Sequence, residues 1–122
     1  MKLTIRTDGF EGHKRRSLAR ARKLDRGERI EPERTITFES PLDMLEVLTV
    51  ERVRLCEVAR TQAFSISGLA TALKRDPKSV RRDVLKLERV GVLRTREEIN
   101  PGHGRVRIVE PVAKSFELRA RF

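Results

Sequence analysis

Apolar residues recur along this chain with two different periods, and the switches between them mark its elements. On a wheel turning about 100° per residue, Val84 and Leu87 fall within about 40° of Val80, and Val90 lies on one flank. The stretch "DPKSVRRDVLKLERV" is therefore expected to form an amphipathic helix over 77–90. Asp76 stands where an N-cap belongs, Pro77 at the first helical position, and Gly91 just past the last periodic residue. A shorter helix is expected shortly before it in "SISGLATALKR", where Ile66, Leu69, Ala70 and Leu73 follow the i, i+3, i+4, i+7 rule and either Ser65 or Ser67 serves as cap. Further upstream, "SPLDMLEVL" reads as a helix capped by Ser40, begun by Pro41 and turning Leu42, Leu45 and Leu48 to one face. Thr49 can cap the next one, "VERVRLCEVARTQ", with Val50, Val53 and Val58 inward and Leu55 and Cys56 as further candidates.

Elsewhere the period drops to two. "VGVLRTREE" and "RVRIVEP" flank the turn residues Asn100, Pro101, Gly102 and Gly104, which predicts a β-hairpin with a long basic tip. Ile36 and Phe38 alternate with polar neighbours, as do Phe116, Leu118, Ala120 and Phe122, so each run reads as a strand. Residues 1–34 read as a basic arm: a short alternating "KLTIR", then a helix-permissive segment whose stripe of Leu18, Ala21 and Leu24 is too thin to hold a free-standing helix. A short helix, a tight turn, a longer capped helix and a hairpin, in that order, are the parts of a helix-turn-helix followed by a wing. The expected fold is α+β: a winged helix-turn-helix domain over 35–122, with the N-terminal arm 1–34 and extra terminal β-strands.

Charge gives that fold a direction. The 122 residues carry 28 Lys and Arg against 18 Asp and Glu, a formal net charge of +10, so a polyanion is the expected partner. The excess is uneven: +5 over residues 1–34, −2 over 35–73 and +7 over 74–122. With no Trp, no Tyr and five Phe, the chain is short of the aromatic faces on which single-stranded nucleic acid stacks, which favours a double-stranded partner. A single cysteine, Cys56, excludes an intramolecular disulfide and fits a reducing cytoplasm. The N-terminus lacks an apolar signal region and no window is long and apolar enough for a membrane span, so a cytoplasmic location without membrane contact is expected.

Candidate binding residues follow from the wheel. Lys78, Arg82 and Arg89 point nearly opposite the core face, with Arg81 and Lys86 on the shoulders. The DNA major groove, about 12 Å wide, admits one helix, and its floor offers guanine O6 and N7 to a guanidinium fork. Arg81 and Arg82 are the residues expected at base edges, with Ser79 as a short-range helper. Lys74, Arg75, Lys78 and Lys86 are better placed for phosphates, as are the backbone N–H groups near Ser65 and Ser67. The wing, 93–109, would lay Arg94, Arg96, His103, Arg105 and Arg107 on the backbone or in a minor groove. A cationic face on an isolated helix is usually just a solvated one. Here only Asp83 and Glu88 interrupt it, and the elements on either side are those of a DNA-binding module. Asp83 is expected to orient Arg75 or Arg82 rather than face DNA. Leu85 falls about 140° from the core centre on the same wheel, where a thymine methyl, a partner subunit and water are all open readings.

No chemistry beyond binding is legible. No nucleophile adjoins a histidine, no carboxylates pair in an apolar run, no glycine-rich loop follows a strand, and His13 and His103 lack the companions a metal site needs, so neither enzyme activity nor a cofactor nor a metal is expected.

Three segments carry a family likeness: "ITFESPLDMLEVLTVERVRLCEVAR", "SISGLATALKRDPKSVRRDVLKLERVGVL" and "RVRIVEP". Together they resemble the MarR/ArsR-like winged-helix DNA-binding proteins of archaea and bacteria, a likeness that extends over residues 20–122. The resemblance implies a homodimeric transcriptional regulator reading two half-sites, with Ser79, Arg81 and Arg82 at DNA-facing positions of the helix 77–90. It also implies an alternative, because several relatives resemble antitoxins: an interaction protein whose arm, residues 11–34, clasps a toxin partner while DNA binding autoregulates the operon. Two residues depart from the pattern. Gly68 sits inside the short helix at a cost of roughly 0.5–1 kcal/mol relative to Ala, and Leu85 stands where a polar residue is more typical.

Overall fold

The computed structural model describes residues 1–102 and 104–122, and these form five helices and six strands. They divide into two compact units, one made of Met1–Glu46 with Ser115–Phe122, the other of Val47–Lys114. This division differs from the expected boundary at 34/35, and the reason lies in strand pairing. Strand β1 (Lys2–Arg6), the alternating start of the expected arm, is the centre of a three-stranded parallel sheet, with β2 (Arg34–Thr37) on one side and β6 (Ser115–Arg119) on the other. The registers Ile5↔Ile36 and Ile5↔Leu118 tie β2 and β6 to this one strand.

Helix α1 (Gly9–Asp25) connects β1 to β2 and packs in an unusual sense. Its buried positions are Gly9 and Gly12, flanked by the half-buried Arg16 and Arg20, while Phe10, Leu18 and Leu24 face solvent. The contacts explain the choice of face. Arg16 pairs with Asp8 and donates to Thr37 Oγ1 at 3.1 Å, so the helix lies on the polar side of its sheet. Gly12 leaves room for the Asp8 side chain over the first turn of the helix, which a Cβ there would meet. At the helix start, Glu39 Oε1 accepts the Phe10 N–H at 3.0 Å, a carboxylate at the positive end of the helix dipole.

Helix α2 (Pro41–Val47) follows, with Ser40 Oγ accepting from the Asp43 N–H at 3.2 Å. Its inward residue is Met44, while Leu42 and Leu45 are exposed, against expectation. Two turns are too few for the three-leucine stripe to face one neighbour, and Leu48, which is buried, lies beyond the helix end.

The second unit holds α3 (Val50–Ala59), β3 (Phe64–Ser65), α4 (Ile66–Leu73), α5 (Pro77–Val90), β4 (Leu93–Asn100) and β5 (Gly104–Pro111). Thr49 caps α3 as expected, and Leu55, Cys56 and Ala59 turn inward. Val50, at the first helical position, is exposed. The core is closed by Leu69 and Ala70 of α4, by Val80, Val84 and Leu87 of α5, and by Val92, Leu93 and Val109. β4 and β5 form the hairpin, paired from Leu93↔Pro111 to Asn100↔Gly104. β3, too short to show a period, pairs with β5 through Phe64↔Val109 and Ser65↔Ile108, so the sheet order is β3-β5-β4.

Candidate nucleic-acid interface

The turn between α4 and α5 is built from caps. Ser65 Oγ accepts the Gly68 N–H at 3.0 Å, which makes Ser65 and not Ser67 the N-cap of α4. Lys74 closes α4 in the left-handed conformation, φ 55°, and Asp76 Oδ2 opens α5 by accepting the Ser79 N–H at 3.1 Å. Pro77 follows at the first turn, and Gly91, φ 99°, ends the helix. The turn itself is thus made of a left-handed C-cap, Lys74, and an N-cap, Asp76, two positions apart.

With Val80, Val84 and Leu87 fully buried, the opposite side of α5 is presented outward. Lys78, Arg81, Arg82, Leu85, Lys86 and Arg89 line one shallow concavity of about 400 Å³, joined at its edge by Arg52 from α3. Their spacing is i, i+3, i+4, i+7, i+8, i+11, one continuous helical stripe. Neither acid of α5 neutralises it. Asp83 is buried on the flank, where its Oδ1 accepts from Arg52 Nε at 3.1 Å and its Oδ2 from Arg75 Nη2 at 2.7 Å. Glu88 turns to the hairpin and accepts from the Thr95 N–H at 3.0 Å. Among the described residues, no carboxylate pairs with Lys78, Arg81, Arg82, Lys86 or Arg89.

The hairpin is electrostatically different. Arg94 and Arg96 both donate to Glu110, Arg96 also reaches Glu98 at 2.8 Å, and Arg105 and Arg107 lie 3.4 and 3.9 Å from Glu97. The hydrogen bond from Arg96, seconded by that from Arg94, holds the Glu110 carboxyl below its ordinary pKa, and Glu110 and Glu98 in turn raise that of Arg96. These arginines are exposed or half-buried but already bridged, so the hairpin is an ion-paired ribbon rather than a free cationic finger. The expected contact of His103 lies outside the described residues.

The structure therefore gathers Lys78, Arg81, Arg82 and Lys86 into one surface and leaves the other expected residues off it. Ser65 is committed to its cap, Ser67 is exposed on α4, and Ser79 is half-buried at the α5 start. Arg75 serves Asp83, and Lys74 is exposed in the turn. Two contributors are new to the site. Arg89 continues the periodicity of Lys78 and Arg82, a signal present on the wheel. Arg52 arrives from another helix, and no spacing within α5 announces it. Among the described residues, no cluster of His, Cys, Asp and Glu could hold a metal ion, and no helix is long and apolar enough to cross a membrane.

Comparison with solved structures finds the same fold in a protein described as "Possible transcriptional regulator from Methanosarcina mazei Go1", at 22% identity and a TM-score of 0.52, covering 58% of this chain. The chain spans 63% of that protein's length. A second similar structure is a cysteine-to-serine mutant of Lactococcus lactis ZitR in complex with DNA, at 14% identity and a TM-score of 0.46, with 88% of this chain and 68% of the other covered. A search of curated proteins finds no match. The family assignment comes from a sequence model: the chain belongs to the HVO_A0114 family, whose model matches residues 47–112, more than half of its length.

Proposed function

We propose that this protein is a transcriptional regulator that binds double-stranded DNA through a winged helix-turn-helix, with α5 in the major groove and the β4–β5 hairpin alongside as the wing. One observation carries the reading: five cations of α5 share one outward stripe while both acids of the helix pair with residues off it, Asp83 with Arg52 and Arg75 and Glu88 with Thr95. A surface helix without a polyanionic partner usually intersperses acids among its bases, because like charges at i, i+4 destabilise it. The fold shared with the Methanosarcina protein and the resemblance to MarR/ArsR-like regulators support the same assignment. That resemblance extends the proposal to a homodimer on two half-sites, whose recognition helices would be spaced by about one turn of DNA, roughly 34 Å.

Arg82, near the centre of the stripe, is assigned to a base edge; Lys78, Arg81, Lys86 and Arg89 hold phosphates, with Arg81 also within reach of the groove floor. Four phosphate contacts give a slope of about −3.6 per subunit for log K against log salt. Fluorescence anisotropy with duplexes selected from a random library tests this. A weak salt dependence, or equal affinity for selected and scrambled duplexes, would overturn the proposal.

A further inference from the structure

Leu85 is the one apolar member of the cationic stripe. It is not among the buried core residues of α5, which are Val80, Val84 and Leu87, and it keeps 37% of its surface exposed. Its place on the wheel, about 140° from Val80, lies between Lys78 and Arg81 and within about 60° of Arg82. At mid-helix, then, the two side chains aimed most directly outward are Arg82 and Leu85, with Arg81 and Lys86 on opposite shoulders.

Resting on the DNA-binding reading above, we infer that Leu85 is a specificity-determining residue that reads the 5-methyl group of thymine in the major groove. The shoulders set the geometry. When Arg81 and Lys86 reach toward the sugar-phosphate backbones on either side, their aliphatic stems leave a low-polarity ring around Leu85. Whatever base lies beneath that ring loses its water. The major-groove edges of adenine, guanine and cytosine present N6–H₂, O6 with N7, and N4–H₂, each of which would be left without a hydrogen-bond partner against a leucine. Thymine also carries an acceptor there, O4, but it alone adds a methyl group for a leucine to cover, so Leu85 favours thymine over the other bases. Beside Arg82, which matches the paired acceptors of guanine, it defines a step in which a guanine and a thymine lie next to each other in the half-site.

The test removes the methyl and nothing else. Duplexes selected from a random-sequence library by the full-length protein are resynthesised with deoxyuridine in place of thymidine, and wild type is compared with Leu85→Ala, whose folding is checked by its circular dichroism melt. Wild type is expected to bind the uracil duplex about fourfold more weakly per contacted thymine, the factor that burial of one methyl group is worth. Leu85→Ala is expected to bind the two duplexes alike, with an unchanged salt slope. Equal binding of both duplexes by wild type overturns the inference while leaving DNA binding in place. So does an identical thymine-to-uracil ratio for wild type and Leu85→Ala, which would assign the methyl effect to another side chain or to DNA shape. If selection recovers no duplex at all, the DNA-binding reading fails and this inference falls with it.

Discussion

Asp83 shows how one buried residue organises the site. Its carboxylate sits between the guanidinium groups of Arg52 and Arg75, each with a side chain about one-fifth exposed, and Arg52 also donates to the Val47 carbonyl at 3.0 Å. Removing the shared anion would leave two cations facing each other at the edge of a surface already rich in positive charge. Asp83→Ala is therefore expected to destabilise the fold by roughly 3 kcal/mol, the range found when one partner of a buried ion pair is deleted, measured as a lower urea midpoint with an unchanged slope. The position of Asp83 on the flank of α5 is enough to expect an arginine partner, and Arg75 is one. Arg52, 31 residues upstream, is not legible in that way, because periodicity within a helix carries no information about side chains arriving from another. Cys56, an inward candidate by its place in an apolar-periodic stretch, is buried, and burial pushes its thiol up to about 12. It is expected to resist an aromatic disulfide reagent in the native state and to react fully in denaturant. Since the folded thiol holds its proton more tightly than the unfolded one, its contribution to stability is complete below about pH 8.5 and is lost as pH rises toward 12.

At the scale of elements, caps were the most legible features and packing faces the least. Thr49, Asp76, Pro77 and Gly91 stand where their side chains and backbone preferences place them. Lys74 is the exception, a lysine at φ 55° where glycine is the usual occupant. Lys74→Gly is expected to raise stability by about 1 kcal/mol through relief of the left-handed strain, and to weaken DNA binding slightly through loss of a cation beside the turn. Chemical denaturation and anisotropy on the same variant would separate the two effects. Helix α1 illustrates the opposite case. Its thin apolar stripe suggested an inward face, yet Gly12 and Arg16 lie inward because the sheet surface they meet is polar. A wheel identifies a stripe; only the partner surface decides which stripe is buried. The pairing of β6 with β1 joins sequence positions far apart and was equally invisible. It is clamped by Glu117, which accepts from Lys2 of β1 and from Arg119. These hydrogen bonds, Lys2 first, hold the Glu117 carboxyl down at about 2. A depressed folded-state pKa contributes stability that is present above the unfolded value near 4.3 and lost as pH falls toward 2. Glu117→Gln should flatten the acid limb of the stability curve, followed by circular dichroism.

The whole molecule separates by charge as well as by contact. Residues 47–114 hold 15 Lys and Arg against 8 Asp and Glu, a net +7, and the remaining residues hold 13 against 10, a net +3. The family match over 47–112 follows the boundary of the second unit almost residue for residue. Fold recognition, core and candidate interface therefore coincide in one stretch of chain. The other unit, whose terminal segments pair in a parallel sheet, lies outside the matched region. This coincidence makes a specific demand on a fragment cut to residues 47–114. Leu55, Leu69, Val80, Val84, Leu87, Leu93 and Val109 all lie within it and are buried at 1% exposure or less, so it holds the side chains of a core. It also keeps every residue of the α5 stripe and the hairpin that anchors α5 through Glu88 and Thr95. Such a fragment is expected to unfold cooperatively and to keep the ratio of affinities for selected over scrambled duplex shown by the full chain, even where absolute affinity drops. A fragment that folds yet binds both duplexes equally would move the discriminating contacts into the first unit, because the α5 stripe would be intact and the selectivity gone.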